Sequence, residues 1–198
     1  MKIVELLIDE EQELSGIEAI SIVDEPAIEE NFIALSKQHE IKLAEVNKEK
    51  KILMGAALVP NKNIYRKSGE DEYYIFFSED TVRKASELFL KNGNQNNATL
   101  EHNLAINDLT VVESWIVENT EKDKSAIYDL EVPVGTWMIS MKVNNEKIWK
   151  DFVKLGVVRG FSIEGYFSDK ATIQASKDIS ETKLEEIKEL LNNSNNGK

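Results

Sequence analysis

The sequence predicts a mainly β chain with peripheral helices, its strands closed or nearly closed into an antiparallel β-barrel. Three observations predict it. Short runs rich in β-branched and aromatic residues recur between turn residues along most of the chain. About three stretches carry helical periodicity. Strands and helices do not alternate, which argues against a doubly wound parallel sheet, and a barrel removes the free edges that so many strands would otherwise expose.

The elements follow in order. Residues 2–8 (KIVELLI) read as a strand, Leu14-Ser15-Gly16 as a turn and residues 17–23 (IEAISIV) as a second strand. Asp24-Glu25-Pro26 stops that strand, and Pro26 suits the first position of a short helix over AIEENFIALS. Residues 1–35 thus supply strands and a short helix that complete the barrel. Residues 36–51 are highly charged, include His39, and read as a linker or exposed helix. Residues 52–59 (ILMGAALV) form an apolar run of strand length. NKNIYRKSGEDE reads as a loop or ragged hairpin, and YYIFF (73–77) as a strand. Ser78 then caps a helix with acids in its first turn, and Gly93 closes it. Strands are expected at 98–106, 109–118, 126–131 and 135–143, an amphipathic helix at 144–155, and a glycine-interrupted strand at 157–168. Residues 180–198 read as a C-terminal helix and a disordered tail.

Bulk composition narrows the chemistry. The chain has 198 residues, and a hydrophobic fraction of 41% is enough for a real core. No run approaches the roughly 20 apolar residues of a membrane span, and the start, MKIVELLIDEEQ, reads as neither signal nor transit peptide. Cysteine is absent, which excludes thiolate nucleophiles, disulfides and zinc–sulfur sites. The balance of 24 basic and 36 acidic residues, net −12, speaks against a nucleic-acid partner. With two histidines, His39 and His102, a His-rich metal site cannot be built, and no metal or organic cofactor is expected.

Two segments carry candidate chemistry. In TLEHNLAINDLTVVESWIVE, Asn107-Asp108 suits a two-residue hairpin turn. That register places His102 opposite Glu113, with β-carbons roughly 5 Å apart, so a carboxylate would stand beside the imidazole, fix its tautomer and stabilise its charged form. A cross-strand salt bridge on a solvated face would satisfy the same geometry. In RGFSIEGYF, Ser162 lies in an apolar strand between Gly160 and Gly165. Glycine in a strand often marks close approach by another backbone, here that of a peptide substrate. A serine is a weak nucleophile until a base takes its proton, so Ser162 must meet a histidine in space. A small serine packed in a sheet wall is the plainer reading. Trp115, Trp137 and Trp149 read as core aromatics.

LEHN, then VVESWIV, VPVGTWMISMKV and VVRGFSIEGYF, in that order, resemble the XkdF-type prohead proteases of tailed phages, a group similar in fold to the herpesvirus assemblins. The resemblance covers roughly residues 52–168, within a protease core of 52–179, and implies that His102 and Ser162 are the catalytic pair. Many prohead proteases carry a third residue, an acid, in a pattern like E-V-S-L-V-x-x-P-A after the serine. Here AISIVDEPA stands at 19–27, before the catalytic region, with Ala19 at the acid's place. The hairpin argument favours Glu113 as the acid; Glu18, Asp24 and Glu164 are alternatives, and Glu164 shares a strand face with Ser162.

The resemblance implies acyl transfer to water. His102 takes the Ser162 proton, Ser162 attacks a peptide carbonyl, and backbone N–H groups hold the oxyanion. The implied substrates are phage scaffold and major capsid protein precursors inside the immature procapsid in the host cytoplasm, with self-processing and a homodimer as further implications. Two other classes compete. One is a non-catalytic phage structural or scaffold-binding protein with a protease-like barrel. The other is a carboxylate-based hydrolase, which no metal-ligand spacing supports.

Overall fold

The computed structural model describes residues 2–9, 15–28, 33–34 and 50–169. The charged segment with His39, most of the helix expected after Pro26, and the C-terminal helix and tail lie outside these residues. Ile33–Ala34, within that expected helix, instead form a short strand on the run beginning at Ile52.

The described strands form three four-stranded sheets. The first holds β1 (Lys2–Leu7), β5 (Ile64–Ser68), β6 (Asp71–Phe77) and β12 (Ser168–Asp169), in the order β12-β1-β6-β5. The second holds β3 (Ile33–Ala34), β4 (Ile52–Leu58), β9 (Leu109–Ile116) and β10 (Trp137–Val143), in the order β3-β4-β10-β9. The third holds β2 (Gly16–Val23), β7 (Ala98–Leu100), β8 (Leu104–Ile106) and β11 (Gly160–Tyr166), in the order β11-β2-β7-β8.

No sheet closes on itself among the described residues, which corrects the barrel expectation. A barrel needs one continuous ladder, and the expected continuity ran through a hairpin joining residues 98–106 to 109–118. That hairpin does not form. The chain reverses at Glu101–Asn103, so β8 pairs with β7, while β9 pairs with β10. Asn107-Asp108 is a corner between sheets, with Asp108 at φ 65°. The driving force is visible in burial: Leu109 and Val111 of β9 pack beside the fully buried Met138, Ile139 and Met141 of β10, whereas Leu104 of β8 is exposed.

The main helix, α1 (Glu79–Lys91), starts after Ser78 and ends before Gly93, as its cap residues predict. Its buried Val82, Ala85 and Phe89 face the sheets, and Phe89 meets Trp137 edge-on at 5.4 Å. The Trp137 Nε1–H donates to Ser114 Oγ at 2.8 Å, which satisfies its polar edge in the core. Trp149 is buried too, whereas Trp115 is partly buried, with its Nε1–H on Asp123 Oδ1 at 3.1 Å. Asp123 also caps α2 (Lys124–Ile127) through Ser125 N–H, so part of the stretch expected as strand 126–131 is helical instead. The helix expected at 144–155 forms as α3 (Glu146–Ile148), continued by a π-helical turn over Trp149–Val153.

Candidate active site

His102 is positioned by a turn. Leu100, Glu101, His102 and Asn103 reverse the chain between β7 and β8, and the Asn103 N–H donates to the Leu100 carbonyl at 3.1 Å. Glu101 and His102 have φ of 51° and 57°, the left-handed region that costs a side-chain-bearing residue energy. Bonds from outside the turn hold it there. The Glu101 N–H donates to Ile22 O at 3.2 Å, the Glu101 carboxylate accepts from the Asp24 N–H at 2.7 Å, and the His102 N–H donates to Ser21 Oγ at 3.0 Å. Each anchor lies on or just after β2, so the histidine is carried over the sheet that contains Ser162.

That sheet lines up polar side chains in a row. Ser162 on β11 is the direct partner of Ser21 on β2, and Ser21 is the direct partner of Thr99 on β7. Direct partners point to one face, so three hydroxyls share it. Glu164, two residues beyond Ser162, shares it as well. The His102 ring meets Glu164 there: Nδ1 lies 3.1 Å from Oε1, and the Thr99 hydroxyl donates to the same oxygen. Ser162 is 8% exposed, whereas the His102 and Glu164 side chains are 43% and 30% exposed, so the pair is reachable from solvent.

This arrangement has a definite chemical capacity. A carboxylate at Nδ1 holds the proton on that nitrogen and leaves the Nε2 lone pair to accept one from a hydroxyl. Of the two neighbouring serines, Ser21 is already committed. It is fully buried, accepts from the His102 N–H and donates to Thr99 O at 3.4 Å. Thr99 gives its hydroxyl proton to Glu164, which leaves Ser162, 8% exposed, as the serine of the row outside these bonds.

The four candidate acids separate cleanly. Glu113 lies in another sheet, opposite Ser140 of β10, and its carboxylate is bonded to the Lys124 ammonium, which holds it below the usual carboxylate range. The pairing of His102 with Glu113 is therefore corrected; it rested on a hairpin that the burial of β9 against β10 overrides. Asp24 binds the Arg159 guanidinium at 2.7 Å. Glu18 is exposed and sits at the irregularity where the β2–β11 register shifts. Glu164 is the one of the four bonded to His102. Ala19, the position where the resemblance expects an acid, is the direct cross-strand partner of Glu164. The carboxylate thus stands one strand over, on the same face.

Two further readings of the sequence change. Gly165 does accommodate a close backbone, but that backbone is β2: a Cβ there would lie 2.1 Å from Gly16 O. The glycine serves the β2–β11 ladder rather than a substrate. Ser21, in the apolar run AISIV, and Thr99, in NNATLEH, were not legible as site residues, since neither stands at a spacing that points to chemistry.

The model of the family described as "Putative phage serine protease XkdF" matches residues 39–170. The chain belongs to this family. No curated protein and no solved structure matches the chain. The family match spans His102, Ser162 and Glu164, and β2 with Ser21 lies outside it.

Proposed function

We propose that this member of the phage serine protease family is an endopeptidase of head maturation, with Ser162 as nucleophile, His102 as general base and Glu164 as the acid that orients the imidazole. The carrying observation is the 3.1 Å contact between His102 Nδ1 and Glu164 Oε1 on the sheet face shared with Ser162. In the reaction, Nε2 accepts the Ser162 proton as the hydroxyl attacks the scissile carbonyl. The imidazolium, stabilised by Glu164, then protonates the leaving amine, and water enters to release the acyl group. Backbone N–H groups supply the oxyanion site. The substrates of this reading are scaffold and capsid-precursor proteins inside the immature procapsid of an infected cell, with self-processing and a homodimer as corollaries. A fold relation to the herpesvirus assemblins belongs to the same reading.

The test is co-expression of the chain with the scaffold and major capsid protein of its phage, followed by mass spectrometry of the precursors. Cleavage with the wild-type chain and none with Ser162→Ala is the expected result. Undiminished cleavage by Ser162→Ala would refute the nucleophile. Uncleaved precursors with both chains would favour a non-catalytic scaffold-binding protein.

A further inference from the structure

We infer that Ser21 is a positioning residue for His102, a buried hydroxyl that fixes the strained turn from which the general base projects. The inference rests on the catalytic reading of His102 and Ser162, and its first readout below does not depend on catalysis.

The argument begins with the turn. Positive φ at two successive residues suits Gly, Asn or Asp, and here the two are Glu101 and His102. Neither side chain gains locally from that conformation, so contacts from elsewhere must hold it. The Asn103 N–H closes the turn internally, and the Glu101 N–H uses the Ile22 carbonyl. Among the described residues the His102 N–H is satisfied by a side chain, its bond going to Ser21 Oγ at 3.0 Å. Ser21 is the contact that acts on the histidine's own backbone.

Ser21 is also placed so that little else can substitute for it. It is fully buried, so water does not replace the hydroxyl freely. Its proton goes to Thr99 O at 3.4 Å, which orients the oxygen lone pairs toward the turn. Thr99 in turn donates to the Glu164 oxygen that contacts His102 Nδ1. One hydroxyl on β2 therefore links the backbone of the base to the strand whose side chain holds the acid. Removing it takes away the acceptor of the His102 N–H and the donor to Thr99 O together, which favours release of the turn. The imidazole would then keep its chemistry but lose its fixed place beside Glu164, and alignment of this kind governs turnover more than ground-state binding.

The experiment compares wild type, Ser21→Ala and Ser21→Thr. Amide hydrogen exchange is read at His102, with Asn103 of the same turn as internal control. In Ser21→Ala the His102 amide should exchange at least tenfold faster, with the Asn103 amide changed less. Ser21→Thr, which keeps the hydroxyl, should restore protection. Unchanged exchange at His102 in a folded Ser21→Ala chain overturns the clamp, whether or not the protein is a protease. The second readout is the rate at which a fluorophosphonate labels Ser162. A fall of tenfold or more in Ser21→Ala, recovered in Ser21→Thr, with kcat rather than KM affected on a cleaved peptide, is expected. Labelling within twofold of wild type overturns the positioning role. Should Ser21→Ala fail to fold, Ser21→Cys keeps the volume and weakens the hydrogen bond, and the same two outcomes decide.

Discussion

Two glutamates on neighbouring sheets each hold a basic side chain. Glu164, on the sheet β11-β2-β7-β8, meets the His102 imidazole; Glu113, on the sheet β3-β4-β10-β9, meets the Lys124 ammonium. An imidazole held at Nδ1 still offers a second ring nitrogen to a hydroxyl, whereas an ammonium has no lone pair to offer, so the two contacts differ in what they leave available. Their settings differ as well. Glu164 shares its face with three hydroxyls and a strained turn. Glu113 sits on a strand whose neighbours, Val111 and the β10 residues Met138 to Met141, are buried. A carboxylate beside a base is thus a weak indicator alone; what its partner can do near neutral pH, and which hydroxyl shares the face, give it meaning.

The comparison can be broken at its strongest point first. Glu164→Gln should keep the volume yet remove the charge that orients and stabilises the imidazole, with a loss of about 10²- to 10⁴-fold in kcat/KM on a cleaved peptide. Glu113→Gln should leave kcat/KM within about twofold. Equal losses for the two substitutions would erase the distinction between the sheets.

Stability should show the opposite ordering. Trp137 is fully buried, packed on Phe89 and hydrogen-bonded to Ser114, so Trp137→Ala should cost about 3–5 kcal/mol in urea unfolding. Ser162→Ala, which removes one oxygen at the site, should change stability by less than about 1 kcal/mol. A large loss in the serine variant would mean that Ser162 is mainly a packing residue.

The smallest effect concerns acid. Lys124 depresses the Glu113 carboxyl below its ordinary value of 4.5 in the folded chain. A depressed folded value means the pair contributes stability above that pH and loses it as pH falls through the lower folded value. Because both side chains are about a third or more exposed, the contribution should be only about 0.2–1 kcal/mol. Urea midpoints at pH 7 and pH 3, compared between wild type and Lys124→Met, measure it; a wild-type advantage that persists at pH 3 would contradict the assignment.

The contrast between the two glutamates was not legible in the sequence, which paired His102 with Glu113, and the reason is specific. Some positions followed from local pattern, as in α1 with Ser78, Glu79 and Asp80 at its start, whereas part of the strand expected at 126–131, part of the helix expected after Pro26 and the single strand over 98–106 did not form as expected. His102 and Ser162 were singled out as candidates because the chain offers two histidines and sets the serine in RGFSIEGYF, a segment that resembles the family's nucleophile motif. The acid went to Glu113 because Asn107-Asp108 looks like a hairpin turn. Turn chemistry is local, but strand pairing is decided by burial across the molecule, and the apolar side chains of β9 are better buried on β10 than β8 could manage. The correct pair needs two non-local facts, the reversal at Glu101–Asn103 and the alignment of β11 with β2. Glu164 was visible as a same-face neighbour of Ser162, but nothing in the spacing could show the histidine arriving above it.

One measurement tests this most directly: the rate at which a fluorophosphonate modifies the protein, with the labelled residue mapped by peptide mass spectrometry, in wild type, Glu164→Gln and Glu113→Gln. The account predicts modification at Ser162, slowed at least 100-fold by Glu164→Gln and unchanged by Glu113→Gln. Labelling that is indifferent to Glu164, or that collapses on loss of Glu113, would contradict it.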